Sequence, residues 1–389
     1  MEKLIEQSLK TSENLSFRDS DRAFFTVAVT VEIGDHIIQC AQCQNISLTG
    51  MLINVKEIIE DGTTGTVTLT KRCALRRYSF SADFEAIRVE KIKGGTYNIG
   101  IKFVHMYEED QKVLAHIVNY HISLLMRKKI EIDETKLNGV IFKIAQTKEE
   151  LEQAYKIVHD SYVSKGYCDS QPHGMKLSIY NSFPFTTTLV GKLKDEVIIT
   201  CTIFLDSFIN LPMDQSFGEH LFEFRNNQRL ILEVGSFAIK AGTKIHNNNI
   251  NIHLHKMVMN YCEDYLGADD LLLTVNPRHR MYYQHIWCAD PIGPVKALPQ
   301  VKGNPAVLMH MNLRACKARM QGEYSGLPLK NSFYNFLYTV DSKSIVLPEK
   351  REPLMVLNKE LLHYFFEERT TIFSDTNKET VKKILRYYV

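Results

Sequence analysis

The chain has 389 residues, 44% apolar and 24% charged, which suits two or at most three domains with sizeable cores. A net charge of +2 excludes a global field that recruits nucleic acid or a membrane. The eight cysteines lie scattered in mostly apolar surroundings, the opening MEKLIEQSLK has no apolar signal-peptide core, and no apolar run approaches the ~20 residues that span a bilayer, so the expectation is a soluble, cytoplasmic protein.

From Phe24 to Val104 the pattern is short β segments rich in Val, Ile, Thr and Phe: 24–33, 37–46, 51–55, 65–70, 78–92 and 98–104. Gly34-Asp35, Asp61-Gly62 and Gly94-Gly95 divide them, and strands at this spacing predict a small barrel. Cys40-Ala-Gln-Cys43 has no second pair at metal spacing and reads as strand, so no metal site is expected. Helical spacing over Glu108 to Leu125 closes the unit, and a polar connector from Arg127 to about Gly139 forms a boundary.

The second part opens with a strand over Val140 to Ala145, followed by the capping box Thr147-Lys-Glu-Glu150 and a helix. Strands are predicted over 187–193, 197–205, around Glu233, over 270–275 and over 306–312. Ile250 to Tyr265 reads as helix, and Asn276-Pro277 starts a short one. From about residue 353 the chain is helical, with Thr376-Asn-Lys-Glu379 as a second capping box. Mixed helices and strands imply an α/β layer rather than a second barrel.

Two groups of residues carry chemistry. In the first, Arg18 and Arg22 precede the first strand and Asn45-Ile-Ser-Leu-Thr-Gly50 ends the second. Two arginine forks can clamp a planar anion, and Asn45 and Ser47, two apart on a strand, share a face. The plain alternative is a solvated turn in which Asp19 and Asp21 pair with the arginines. The order RxxxR, then NxSxxG on β-rich chain, then Gly-Ile-Lys-Phe103 and a helix resembles the PilZ domain over about residues 15–128. PilZ domains are bacterial receptors for cyclic di-GMP. The resemblance implies that Arg18 and Arg22 hold guanines and phosphates while Asn45, Ser47 and Gly50 form the facing turn.

The second group centres on Arg229-Leu-Ile-Leu-Glu233-Val-Gly235, an apolar strand with one carboxylate inside it. A carboxylate there costs several kcal/mol unless it is paired or used, so Glu233 is either satisfied by Arg225 or Arg229 or is a catalytic base. Gly235 fits a bulge or a close approach to a ligand. Asp206 ends the preceding strand and leads through a loop to Arg225. With Asn276-Pro-Arg-His-Arg280 and Pro305-Ala-Val-Leu308 downstream, the order resembles N-acyl amino acid synthases and the related acyl-homoserine-lactone synthases, built on the GNAT fold, over 140–389.

Acyl transfer from a thioester to an amine needs a base for the amine and donors for the oxyanion. Glu233 suits the base, and backbone N–H groups freed where the strand splays near Gly235 suit the oxyanion. Arg225 or Arg229 could hold the carboxylate of an amino-acid acceptor. The resemblance places Asp206 near the acceptor and Tyr162 and Tyr167 in a lid beside the acyl chain, although for both tyrosines core packing is the simpler reading. Glu-Val-Gly-Ser-Phe departs from the lactone synthases' arginine pattern, which argues against an S-adenosylmethionine acceptor. Lys240-Ala-Gly-Thr-Lys244 has one glycine where coenzyme A enzymes have several. Acyl carrier protein, meeting Lys240, Lys244, Arg278 and Arg280, is therefore preferred to acyl-CoA as donor.

The reading is α+β: a barrel that binds cyclic di-GMP, then a GNAT-like N-acyltransferase domain with a helical extension over about 350–389, moving a long-chain acyl group onto an amino-acid-like amine. The alternative is a cyclic di-GMP receptor whose second half is a non-catalytic binding module.

Overall fold

The computed structural model describes residues 22–73, 76–92, 94–243, 247–349 and 355–388. The chain folds as two units that meet between Lys129 and Ile130 in sequence.

The first unit is a closed six-stranded barrel: β1 (Ala23–Ile33), β2 (His36–Ser47), β3 (Gly50–Val55), β4 (Thr64–Cys73), β5 (Arg76–Lys91) and β6 (Tyr97–His105). The order around the barrel is β1-β2-β3-β6-β5-β4, every neighbour antiparallel, with β1 and β4 closing the ring. Closure leaves no sheet edge for another chain to extend. Alternation turns Val29, Val31, Ile53, Val67, Leu69, Phe80, Phe84, Ile99 and Ile101 inward, all buried. Helix α1 (Glu108–Lys128) follows, with three acids in its first turn where the helix dipole favours them. Leu114, Ile117 and Val118 are buried, and His121 and His116 lie against Phe25 and Tyr78.

The second unit is a seven-stranded sheet in the order β12-β13-β11-β10-β9-β8-β7. In chain order these are β7 (Ile141–Ile144), β8 (Thr187–Leu193), β9 (Glu196–Leu205), β10 (Ile231–Ile239), β11 (Asp270–Val275), β12 (Asp290–Leu298) and β13 (Asn304–Asn312). Helix α2 (Lys148–Ser164) lies between β7 and β8, and the Thr147 hydroxyl caps it by accepting the Glu150 N–H. Glu150 does not close the capping box. Its carboxylate takes Lys143, Lys192 and the Gln146 N–H, and although burial opposes its charge these partners hold its pKa down to about 2. Helix α4 (Asn247–Asn260) ends in a wide turn, Tyr261–Tyr265, and α5 (Arg280–Ile286) follows Asn276, which accepts the Arg278 N–H.

The structure corrects the sequence reading at two elements. Residues 214–226 form helix α3 (Asp214–Asn226) rather than a loop, and Arg225 stands on it. Strand β12 is absent from the sequence reading, because Pro291, Gly293 and Pro294 read as turn; it is an edge strand, where proline is tolerated. Later come α6 (Leu313–Glu323), α7 (Phe333–Tyr338), α8 (Lys359–His363), α9 (Ile372–Asp375) and α10 (Lys378–Leu385). The cap of α10 is Asn377, not Thr376. Among the described residues no helix is long and apolar enough to cross a membrane.

Candidate functional site

Strands β10 and β11 form a parallel pair in a sheet whose other neighbours are antiparallel. Their pairing covers Ile231–Asp270, Leu232–Leu271 and Glu233–Leu272, then stops, although β10 runs on to Ile239 and β11 to Val275. The two strands therefore part directly after Glu233. On its other edge β10 pairs with β9 through Gly235–Thr202, then shifts register before Ala238. Ser236 inside that bulge has φ +51°. The parting leaves backbone groups between Val234 and Phe237 without a ladder partner on the β11 side, and the bulge interrupts their pairing on the β9 side.

Glu233 is 5% exposed, with Phe204 opposite on β9 and Leu272 opposite on β11; both belong to a buried cluster with Ile231, Leu211, Met213, Phe217 and Leu221. Its Oε2 accepts one hydrogen bond, 2.8 Å from the Met213 backbone N–H. Burial is the main cause that pushes its pKa up to about 8; the Met213 bond opposes this and Asp214 reinforces it. Neither arginine considered as its partner has that role. Arg225 grips Asp206 through Nε and Nη2 (2.8 and 2.7 Å) and Asp214 through Nη1 and Nη2 (2.6 and 2.7 Å). Asp214 Oδ2 also accepts the Leu211 N–H at 2.7 Å. Arg229 forms a bidentate pair with Asp270, which His310 also contacts at 2.7 Å. Burial works against the Asp270 charge, but His310 and Arg229 hold its pKa below the usual carboxylate value. An acceptor clamp built on either arginine would have to displace a carboxylate already in place.

What Arg225 does is tie both ends of loop 206–214 to helix α3, fixing the segment that delivers the Met213 N–H to Glu233. Sequence reasoning missed Met213, which acts through its backbone and leaves no side-chain signal. Asp214 was legible in principle, because Phe217, Leu221 and Phe224 behind it have helical spacing. Gly235 stands beside the acid: a Cβ there would lie 3.7 Å from Glu233 Oε1 and 3.4 Å from the Phe204 ring, ordinary contacts. Tyr162 packs edge-on against Tyr167 at 5.7 Å. Burial first, then Tyr167, Glu233 and Cys168, push the Tyr162 hydroxyl up to about 12, so it stays neutral. Tyr180, edge-on to Phe204 at 6.5 Å, is raised by burial first, then by Asp214 and Glu233.

The proposed donor surface is less concentrated. Lys240 is paired with Glu196, Arg278 Nε bonds His279 Nε2 at 3.2 Å, Arg280 is exposed at the start of α5, and Lys244 lies outside the described residues. Among those residues no group of His, Cys, Asp or Glu could hold a metal.

In the barrel, Arg18 lies outside the described residues. Arg22 Nη1 donates to Asn45 Oδ1 at 2.5 Å, so these two meet across the start of β1 and the end of β2. Ser47 is fully buried and its hydroxyl donates to the Gly50 carbonyl at 3.1 Å, closing the β2–β3 turn instead of sharing an outward face with Asn45. Gly50 is required by sterics, since a Cβ would come within 2.2 Å of the Ile101 carbonyl oxygen. Thus Arg22 and Asn45 form the polar pair, while Ser47 and Gly50 shape the turn beside it.

A family model for the PilZ domain matches residues 16–120, and one for the N-acyl amino acid synthase FeeM matches residues 153–312. Among solved structures, FeeM, an N-acyl amino acid synthase from uncultured soil microbes, is 23% identical over 46% of this chain and 93% of that one, with a TM-score of 0.40. BjaI, a CoA-dependent acyl-homoserine lactone synthase with SAM and isopentyl-CoA, is 15% identical over 46% and 89%, TM-score 0.36. The PilZ domain of YcgR from Escherichia coli with c-di-GMP is 14% identical over 28% and 95%, TM-score 0.24. No curated protein matches the chain. The chain thus joins a PilZ domain to an acyltransferase-type domain similar to the N-acyl amino acid synthases.

Proposed function

We propose that the second domain transfers a long-chain acyl group from a carrier thioester to the amine of an amino acid or similar small molecule, with Glu233 as general base. The observation that carries this is Glu233 itself: a buried carboxyl raised to about 8, held by one backbone N–H, at the last rung before β10 and β11 part. A carboxyl in the middle of an apolar sheet costs several kcal/mol, and catalysis accounts for that cost.

The ionised form of Glu233 takes a proton from the acceptor ammonium, directly or through one water. The amine lone pair attacks the thioester carbonyl carbon, and the oxyanion meets backbone N–H groups of β10 that point into the parting. The C–N bond forms and the C–S bond breaks; the second proton on the attacking nitrogen passes to the departing thiolate, and the proton that Glu233 took is released to solvent, restoring the base. Tyr162, whose hydroxyl burial keeps neutral, is the proposed group that orients the water.

Acyl carrier protein is the proposed donor, with Arg278 and Arg280 as its exposed cationic contacts. Cyclic di-GMP is the proposed ligand of the barrel, held by Arg18, Arg22 and Asn45, and its binding shifts the population of the transfer-competent state. The test is amine-dependent thiol release from acyl carrier protein thioesters, with and without cyclic di-GMP, by the full chain and by Glu233→Gln. Turnover lost in a folded variant supports the enzyme. Turnover in neither protein, with cyclic di-GMP bound by both, supports a receptor whose second domain is a silent binding module.

A further inference from the structure

Helix α10 and the turn after it carry Lys378, Lys382, Lys383 and Arg386 against one acid, Glu379, in a chain whose overall charge is only +2. Among the described residues, Lys382, Lys383 and Arg386 have no carboxylate partner at ion-pair distance. Beside these cations lies a groove lined by Phe208, Lys383, Arg386 and Tyr387.

The rings of that groove are built in rather than loose. Phe208 and Tyr387 lie parallel, 6.2 Å apart at 4°, and Phe183 meets both edge-on at 6.1 and 5.6 Å. Lys383 Nζ stands 5.9 Å from the Phe208 ring centroid. The helix beneath is fixed by buried Ile384 and by the Tyr388 hydroxyl, which donates to the Ser182 carbonyl at 2.8 Å. Despite this support the rings are open: Phe208 is 42% exposed, Tyr387 47% and neighbouring Leu385 41%.

Large apolar rings held at the surface cost free energy in water unless something covers them. The covering surface must accept flat aromatic rings at its edge and supply negative charge to several cations at once. An acidic protein helix satisfies the second demand more readily than the first. The headgroup region of an anionic bilayer satisfies both, since aromatic rings settle at the water–hydrocarbon boundary while Lys and Arg reach lipid phosphates.

We propose that the surface formed by Phe208, Leu385, Tyr387, Lys382, Lys383 and Arg386 docks on an anionic lipid surface. The docking is peripheral and reversible, because three apolar side chains with a few cations give a weak anchor. It does not depend on whether the Glu233 site turns over, and it would bring an acyl product next to a phase in which it dissolves.

Flotation of the full chain with vesicles tests this. Retention on phosphatidylglycerol-containing vesicles, little retention on phosphatidylcholine alone, and release by 0.5 M salt (roughly a 4 Å screening length) are expected. Lys383→Gln/Arg386→Gln should weaken partitioning on the order of thirtyfold, the loss for two interfacial cations. Phe208→Ser/Tyr387→Ser should weaken it at least tenfold with the charge intact. Because Lys383 and Arg386 are exposed, their substitution should leave the thermal melting point unchanged, which separates lost docking from lost folding. Equal retention on both vesicle types, no retention on either, or retention unaffected by both double variants would overturn the proposal. So would tight vesicle-free binding of acyl carrier protein that the same variants abolish.

Discussion

The Met213 backbone N–H lies 2.8 Å from Glu233 Oε2, joining a loop residue to a mid-strand acid twenty positions later. It stabilises the ionised form of a group that burial otherwise keeps protonated. The balance between these two effects sets the pH at which the base becomes available.

Glu233→Gln should change stability with a definite sign. Because the folded pKa of about 8 exceeds the ordinary carboxyl value of 4.5, the native chain keeps a proton that the unfolded chain releases between those pH values. Stability contributed by this group is complete below about pH 4.5 and falls as pH rises through 8. Gln keeps an oxygen for the Met213 N–H and never ionises. At pH 9 the variant should therefore be more stable than the parent by on the order of 2–4 kcal/mol, and at pH 4 equally stable, as measured by urea unfolding at both pH values.

Arg225→Ala should act on Glu233 at a distance. It leaves Asp206 and Asp214 half-buried without their cation, costing about 2–4 kcal/mol of stability. It also frees the loop that holds Met213. If Arg225 is a positioning residue, the alkaline limb of the rate profile should move to higher pH as the N–H bond weakens. A uniform loss of rate with an unmoved limb would assign it a structural role alone.

Gly235→Ala separates access from folding. The added methyl makes only ordinary contacts, at 3.4 Å to Phe204 and 3.7 Å to Glu233 Oε1, so melting should barely change. The methyl covers the acid, however, and kcat/KM for acyl transfer should fall at least tenfold. Wild-type turnover would mean that substrate does not approach Glu233 from this side.

In the barrel, Gly50→Ala should cost on the order of 2–4 kcal/mol, because the Ile101 carbonyl that it meets at 2.2 Å belongs to a paired strand and cannot yield cheaply. Arg22→Ala removes a partner of Asn45 without such a clash. It should leave melting nearly unchanged and weaken cyclic di-GMP binding by about tenfold or more in calorimetric titration.

The sequence made the barrel legible because period-two alternation and paired turn residues act locally; all six strands lie where the pattern puts them. Strand β10 and its acid were legible for the same reason, as a carboxylate among Ile, Leu and Val is conspicuous. What escaped was long-range. Arg225 and Arg229 sit close to Glu233 in sequence, yet a helix and a strand crossing give them Asp206, Asp214 and Asp270 instead. The ladder is regular from Asn45 to Ser47, but Ser47 ends it and its hydroxyl is taken by the Gly50 carbonyl of the β2–β3 turn, a contact that alternation along the strand does not reveal. Strand β12 hid behind its prolines because an edge strand needs only half of its N–H groups.

The most direct measurement is kcat/KM for acyl transfer against pH, for the parent chain and Glu233→Gln, with melting curves on both. The account predicts a rate that rises to a plateau through about pH 8 in the parent, and a folded variant at least a hundredfold slower in which that limb is gone. A variant that retains the parental rate and the same limb would contradict it, and would place the base elsewhere.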